Sequence, residues 1–276
     1  FARSAGEKPF NFVGSAHLDD RVEATGEDMR KALNFDLEAR RDCLTWTDAL
    51  GEFIRRADAS GVLVMVSGVY LNNNHRPLDP QEFRGFAMAD DLAPLVFVNG
   101  ADSKAAQMFT LAHELAHLWL GQSALSDSDP ALASGSDVEV WCNQAAAELL
   151  APLKVVAQEL RPGEPLETEA QRLERRFKVS RLVMLRRIFD TGRIPLPRAQ
   201  LQQACDAELK RLSKLPRGGG SDFYQTQAAR VSNRFARALV GSTLEGRTLY
   251  RDALRMLGIF QFQTFQELVR NLGYST

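Results

Sequence analysis

A chain of 276 residues, 45% hydrophobic and with a net charge of −1, can bury a sizeable core and is long for one domain. No apolar stretch reaches the roughly eighteen residues of a membrane span, and three scattered cysteines, Cys43, Cys142 and Cys205, argue against a secreted disulfide framework and for a reducing compartment, the cytoplasm. The near-neutral balance conceals a split: residues 1–150 hold 12 Lys and Arg against 23 Asp and Glu, whereas residues 151–276 hold 22 against 12, which suits a nucleic acid or an acidic protein surface as partner of the basic half.

In chain order, residues 1–27 show no strong periodicity and read as a linker from an upstream module. Helical spacing covers 28–40 and 46–59, and the apolar run 62–66 reads as a strand. Tyr70, His75 and Arg76 lie in the polar segment that follows; each is a candidate oxyanion donor set against the plainer reading of a solvated loop, and His17 is isolated. Residues 83–88 and 94–98 alternate or run apolar around a break at 89–92, the pattern of a hairpin. A strand edge there would suit an extended peptide, recognised by strand addition.

The stretch 104–120 is apolar and free of Gly and Pro, and it contains His113-Glu114-Leu115-Ala116-His117. Residues four apart on an α-helix share a face one turn apart, so both imidazoles can reach a single metal ion. Glu114 falls beside that ion, where a carboxylate can take a proton from water. Met108, Leu111, Ala112, Leu115, Leu118 and Trp119 would bury the flanks of the helix. Two imidazoles and a carboxylate buried without a metal or partners would be costly, which favours a zinc-dependent hydrolase over a core helix with satisfied histidines.

A catalytic zinc takes three protein ligands and keeps a fourth position open. After a Ser- and Asp-rich connection at 122–136, a second helical pattern runs over 137–150, and its polar face holds Glu139 and Asn143. Glu139 is the third-ligand candidate, and Asn143 would support a ligating histidine through its other ring nitrogen. The competitors are Glu148, too far along the helix, Asp127, Asp129 and Asp137 in or beside the connection, and Cys142, a soft donor that more often is a small buried hydrophobe.

The segments Phe-Thr-Leu-Ala-His-Glu-Leu-Ala-His-Leu at 109–118 and Glu-Val-Trp-Cys-Asn-Gln-Ala-Ala-Ala-Glu-Leu-Leu-Ala-Pro at 139–152, with 83–87 and 94–100 upstream, resemble the ImmA/IrrE metallopeptidases over about residues 61–194. The resemblance implies a gluzincin-like site in which His113, His117 and Glu139 hold Zn2+ and Glu114 is the general base. It also implies a regulatory endopeptidase that cuts, or otherwise disables, a helix-turn-helix transcriptional repressor in stress responses or mobile-element induction. In relatives of this length an upstream module is often a DNA-binding helix-turn-helix. One departure stands out: the position two before Asn143, often acidic in relatives, is Trp141.

In the basic half, residues 169–177 and 181–189 form two helical patterns around a tight junction, the layout of a helix-turn-helix, with Ser180 as N-cap and Arg181, Arg186 and Arg187 as phosphate contacts. The resemblance says that such a piece commonly follows the zinc domain. Packing of this pair against the preceding domain is the competing reading. A charged helix over 200–212, a flexible connector at 216–221 and helices over 223–240, 248–257 and 264–272 complete the chain. Arg230, Arg234 and Arg237 make a basic stripe of the kind usually solvated. The expected organisation is α+β: a linker (1–27), a gluzincin-like metallopeptidase domain with a small mixed sheet and a zinc-binding helix pair (28–160), a helix-turn-helix-like segment (161–197) and a helical C-terminal region (198–276). The alternative function is a DNA-binding or repressor-sequestering regulator that uses the peptidase fold without cleavage.

Overall fold

The computed structural model describes residues 3, 6–70, 73, 75–126, 136–161, 163–213 and 231–274. Helices α1 (Val22–Ala32), α2 (Leu37–Arg41) and α3 (Trp46–Ala59) lead into strands β1 (Leu63–Ser67), β2 (Gly85–Met88) and β3 (Leu95–Asn99). Then come α4 (Lys104–Trp119), β4 (Ala124–Ser126), α5 (Asp137–Leu150), α6 (Leu153–Glu159), α7 (Leu166–Phe177), α8 (Arg181–Asp190) and α9 (Arg198–Ser213). Helices α10 (Asn233–Leu244), α11 (Tyr250–Leu257) and α12 (Phe262–Asn271) close the chain.

The strands form one mixed sheet in the order β1-β3-β2-β4, with β1 parallel to β3 and the other two pairings antiparallel. The hairpin is present, with Phe86 opposite Phe97 and their rings stacked at 5.2 Å. Its outer edge, however, is covered by β4, which pairs Gly85 with Ser126 and Phe86 with Leu125. An extended peptide would therefore meet β4, not the hairpin. Three residues, Ala-Leu-Ser, carry too little alternation to announce a strand.

Helix α4 is buried from Gln107 to Trp119, because α5, α3, β2 and β3 all pack on it. A helix this apolar all round belongs in a core. Ser103 caps its start by accepting from the N–H of Ala106 at 3.2 Å. Its last carbonyls, which no helical N–H can reach, are met by the N-terminal segment: Gly14 donates to Leu118 at 3.0 Å and Ala16 to Trp119 at 2.9 Å. Phe12 stacks on Trp119 at 4.7 Å.

The structure shifts several boundaries. The first helical pattern lies at 22–32 rather than 28–40, since Asn34 at φ 47° breaks it and α2 restarts after an Asp36 cap. Helix α5 keeps the bounds 137–150, and Pro152 after it stands at the N-cap of α6, where no N–H is needed. The helix read over 223–240 runs on through Gly241 and Ser242 to Leu244 as α10, which begins at a Ser232 cap. The connector at 216–221, Arg230 and the start of the pattern at 223 lie outside the described residues. No helix among the described residues is long and apolar enough to cross a membrane, and no disulfide joins the three cysteines.

Candidate metal centre

His113 and His117 project from adjacent turns of α4, their rings 4.8 Å apart and nearly perpendicular. Glu139 enters from the first turn of α5, where Ser136 caps the helix and the two helices pack side by side. The Glu139 carboxylate spans both imidazoles, with Oε2 3.1 Å from His113 Nε2 and Oε1 3.3 Å from His117 Nε2. The two Nε2 atoms are 3.1 Å apart. Among the described residues these three form the cluster whose donor atoms all lie within 4.8 Å of one another.

Asn143, one turn beyond Glu139, accepts through Oδ1 from His113 Nδ1 at 3.0 Å. That bond places the ring proton on Nδ1 and leaves the Nε2 lone pair directed at the cluster. Burial pushes the His113 pKa down, against the raising effect of Glu139. The two imidazoles against it hold the Glu139 carboxyl well below the ordinary carboxylate range. Two buried imidazoles and one half-buried carboxylate, gathered in one place, are a donor set that fits a metal ion.

Residues 57–189 match the model of the IrrE N-terminal-like domain, peptidase family M78. This segment belongs to the ImmA/IrrE family. Residues 231–271 match a second model, a domain of unknown function (DUF8813), and no curated protein matches the chain. The ImmA/IrrE segment contains α4, α5 and the whole sheet, so the clustered side chains come from the part of the chain that the family model covers.

Glu114 is fully buried on the sheet side of α4. It lies against Gly85, where a Cβ would stand 3.0 Å from Glu114 Oε1 and 2.7 Å from both Phe97 O and Thr110 Cγ2. Gly85 is the residue whose role sequence reasoning missed. A glycine inside a strand pattern does signal close approach of another element, but it does not say which one.

The competing ligands go elsewhere in this ImmA/IrrE domain. Glu148 is buried and paired with Arg187. The Cys142 thiol is pushed up by burial and by Glu139 and Glu114, which keeps it protonated. Asp137 is exposed, and Asp127 and Asp129 lie outside the described residues. Tyr70 and Arg76 form an exposed turn of their own, with Arg76 4.4 Å over the Tyr70 ring and the Tyr70 N–H donating to the Arg76 carbonyl. His75 and His17 are exposed. Trp141 is buried, its indole N–H 3.4 Å from the Asp20 carbonyl.

Proposed function

We propose that the protein is a zinc-dependent endopeptidase of the gluzincin kind, with His113, His117 and Glu139 as ligands and Glu114 as general base. The observation that carries this reading is the convergence of three electron-pair donors from two helices, one of them aimed by Asn143. A bound zinc ion would supply Lewis acidity, polarising a peptide carbonyl and making water a better nucleophile near neutral pH. Glu114 would accept a proton at its carboxylate and hand it on to the departing amine. The wall of α4 and β2 around Glu114 excludes bulk water, which strengthens that transfer. The exposed edge of β4 would hold the substrate as an added strand, and Leu125, 66% exposed, would meet one of its side chains.

The substrate class we infer is a regulatory protein such as a helix-turn-helix transcriptional repressor, within a cytoplasmic stress or mobile-element response. Glu114→Gln tests the chemistry: it should retain metal and partner while lowering cleavage by roughly 10²–10⁴-fold, with new N-termini on the trapped partner read by mass spectrometry. Metal content of His113→Ala and Glu139→Ala tests the ligands, and full zinc occupancy in Glu139→Ala would remove that residue from the set. The alternative is a regulator that holds its partner, or DNA, without cutting. It predicts that Glu114→Gln keeps full activity in cells. DNA contact by the basic half has less support at two positions, because Arg181 is engaged by Glu174 and Arg187 is buried against Glu148. Retention on DNA with a steep salt dependence would restore it.

A further inference from the structure

Four consecutive carbonyl groups end the region of α5, and three arginines from distant parts of the chain donate to them. Arg30 of α1 reaches those of Glu148 and Leu149. Arg40 of α2 reaches that of Leu150, and Arg187 of α8 reaches that of Ala151 at 2.9 Å. The Arg187 guanidinium also binds the Glu148 carboxylate, which accepts in turn from the Leu153 N–H at 3.3 Å. Gly26 admits α1 to this end, since a Cβ there would stand 2.6 Å from that of Glu148.

A helix C-terminus carries unpaired carbonyls and the negative end of the helix dipole, so one cation would satisfy it. Here there are three, and they are costly to place. Arg40 is fully buried, and no carboxylate pairs with it among the described residues. A buried guanidinium without a counter-charge costs several kcal/mol in general terms. Guanidiniums arriving from three separate helices restrain the end of α5 from three sides.

Two of the three metal-ligand candidates sit on the single helix α4, and their mutual placement is fixed by that helix. Glu139 alone comes from α5, nine residues or about 14 Å before Glu148. The geometry of the set therefore turns on where α5 stands along its axis, to within roughly 0.5 Å for a productive site. We propose that Arg30, Arg40 and Arg187 are positioning residues for the metal centre, holding α5 by its end so that Glu139 meets His113 and His117. The proposal rests on the reading of those three side chains as a ligand set.

The test uses the full chain, with Zn2+ affinity from chelator competition and the visible spectrum of the Co2+-loaded protein as a report on ligand geometry. Arg187→Met should weaken Zn2+ binding roughly tenfold to a hundredfold, the range for groups that orient ligands, and alter the Co2+ bands. Arg187→Lys, which keeps the charge but not the fork, should recover part of both. Arg30→Met, at a partly buried position, should act in the same direction and carries the test if Arg187→Met does not fold. Variants that melt earlier but keep the parent Zn2+ affinity and Co2+ spectrum would overturn the proposal and leave the ligand reading intact. A parent protein that binds Zn2+ no better than His113→Ala would overturn both.

Discussion

Gly85 and Asn143 show how much a single side chain, or its absence, decides in the candidate centre. A methyl group at Gly85 has nowhere to go, because two of its three nearest neighbours are a backbone carbonyl in β3 and a methyl in α4. Gly85→Ala should cost roughly 1–3 kcal/mol, read by denaturant unfolding, and should displace Glu114 enough to slow cleavage more than it weakens metal binding. An unchanged unfolding midpoint would show that β2 and α4 stand further apart. Asn143→Ala removes the acceptor that fixes the His113 tautomer; Zn2+ affinity should fall about 10–100-fold with little loss of melting temperature, and equal affinity would retire the orienting role. The histidines and Glu114 were legible in the chain because a four-residue spacing maps directly onto one helix face. The depth of the Gly85 contact was not, since nothing local to residues 83–88 says what packs on them.

Among the elements, α1 illustrates why a correct type can come with a wrong boundary. Gly26 lowers helix propensity in the middle of α1 and so hid its start, yet it is there because α1 crosses Glu148 with no room for a side chain. Gly26→Ala should therefore destabilise the fold by roughly 1–3 kcal/mol despite the better helix former, measured by thermal or denaturant unfolding; a gain in stability would mean that the two helices can separate cheaply. Helix α5 was readable end to end from its apolar spacing. Helices α7 and α8 join through Lys178 in the left-handed region, with Ser180 accepting from the Val183 N–H at 3.3 Å. Arg181, Arg186 and Arg187 were read as phosphate contacts from the helix-turn-helix layout and their charge. Arg187 instead spends its donors on the Ala151 carbonyl and the Glu148 carboxylate, partners 36 and 39 residues away that no local pattern exposes.

For the molecule as a whole, the described residues form two hydrophobic cores, one centred on α4 and one within α10, α11 and α12. They meet where Arg234, read as part of a solvated stripe, donates to the carbonyls of Gly61 and Leu92, pairs with Glu7 and lies over Phe10. Beside it the half-buried Asp58 accepts from the Ser232 hydroxyl and the N–H groups of Asn233 and Arg234, and burial nevertheless raises its pKa. A raised carboxyl binds its proton more tightly when folded, so its contribution is fully present below about pH 4 and is lost as pH rises through the folded value. Melting curves from pH 4 to 7 should show the parent losing stability relative to Asp58→Asn as pH increases; parallel curves would place Asp58 in a more open setting. Chain order and spacing were enough for the α+β class, the hairpin, the histidine-bearing helix and the carboxylate helix after it, because each depends on periodicity within about fifteen residues. The position of Glu139 over the two imidazoles, the covering of the hairpin by β4, the arginines at the end of α5 and the seat of the last bundle were settled only by packing, since each joins groups whose separation along the chain carries no periodic trace.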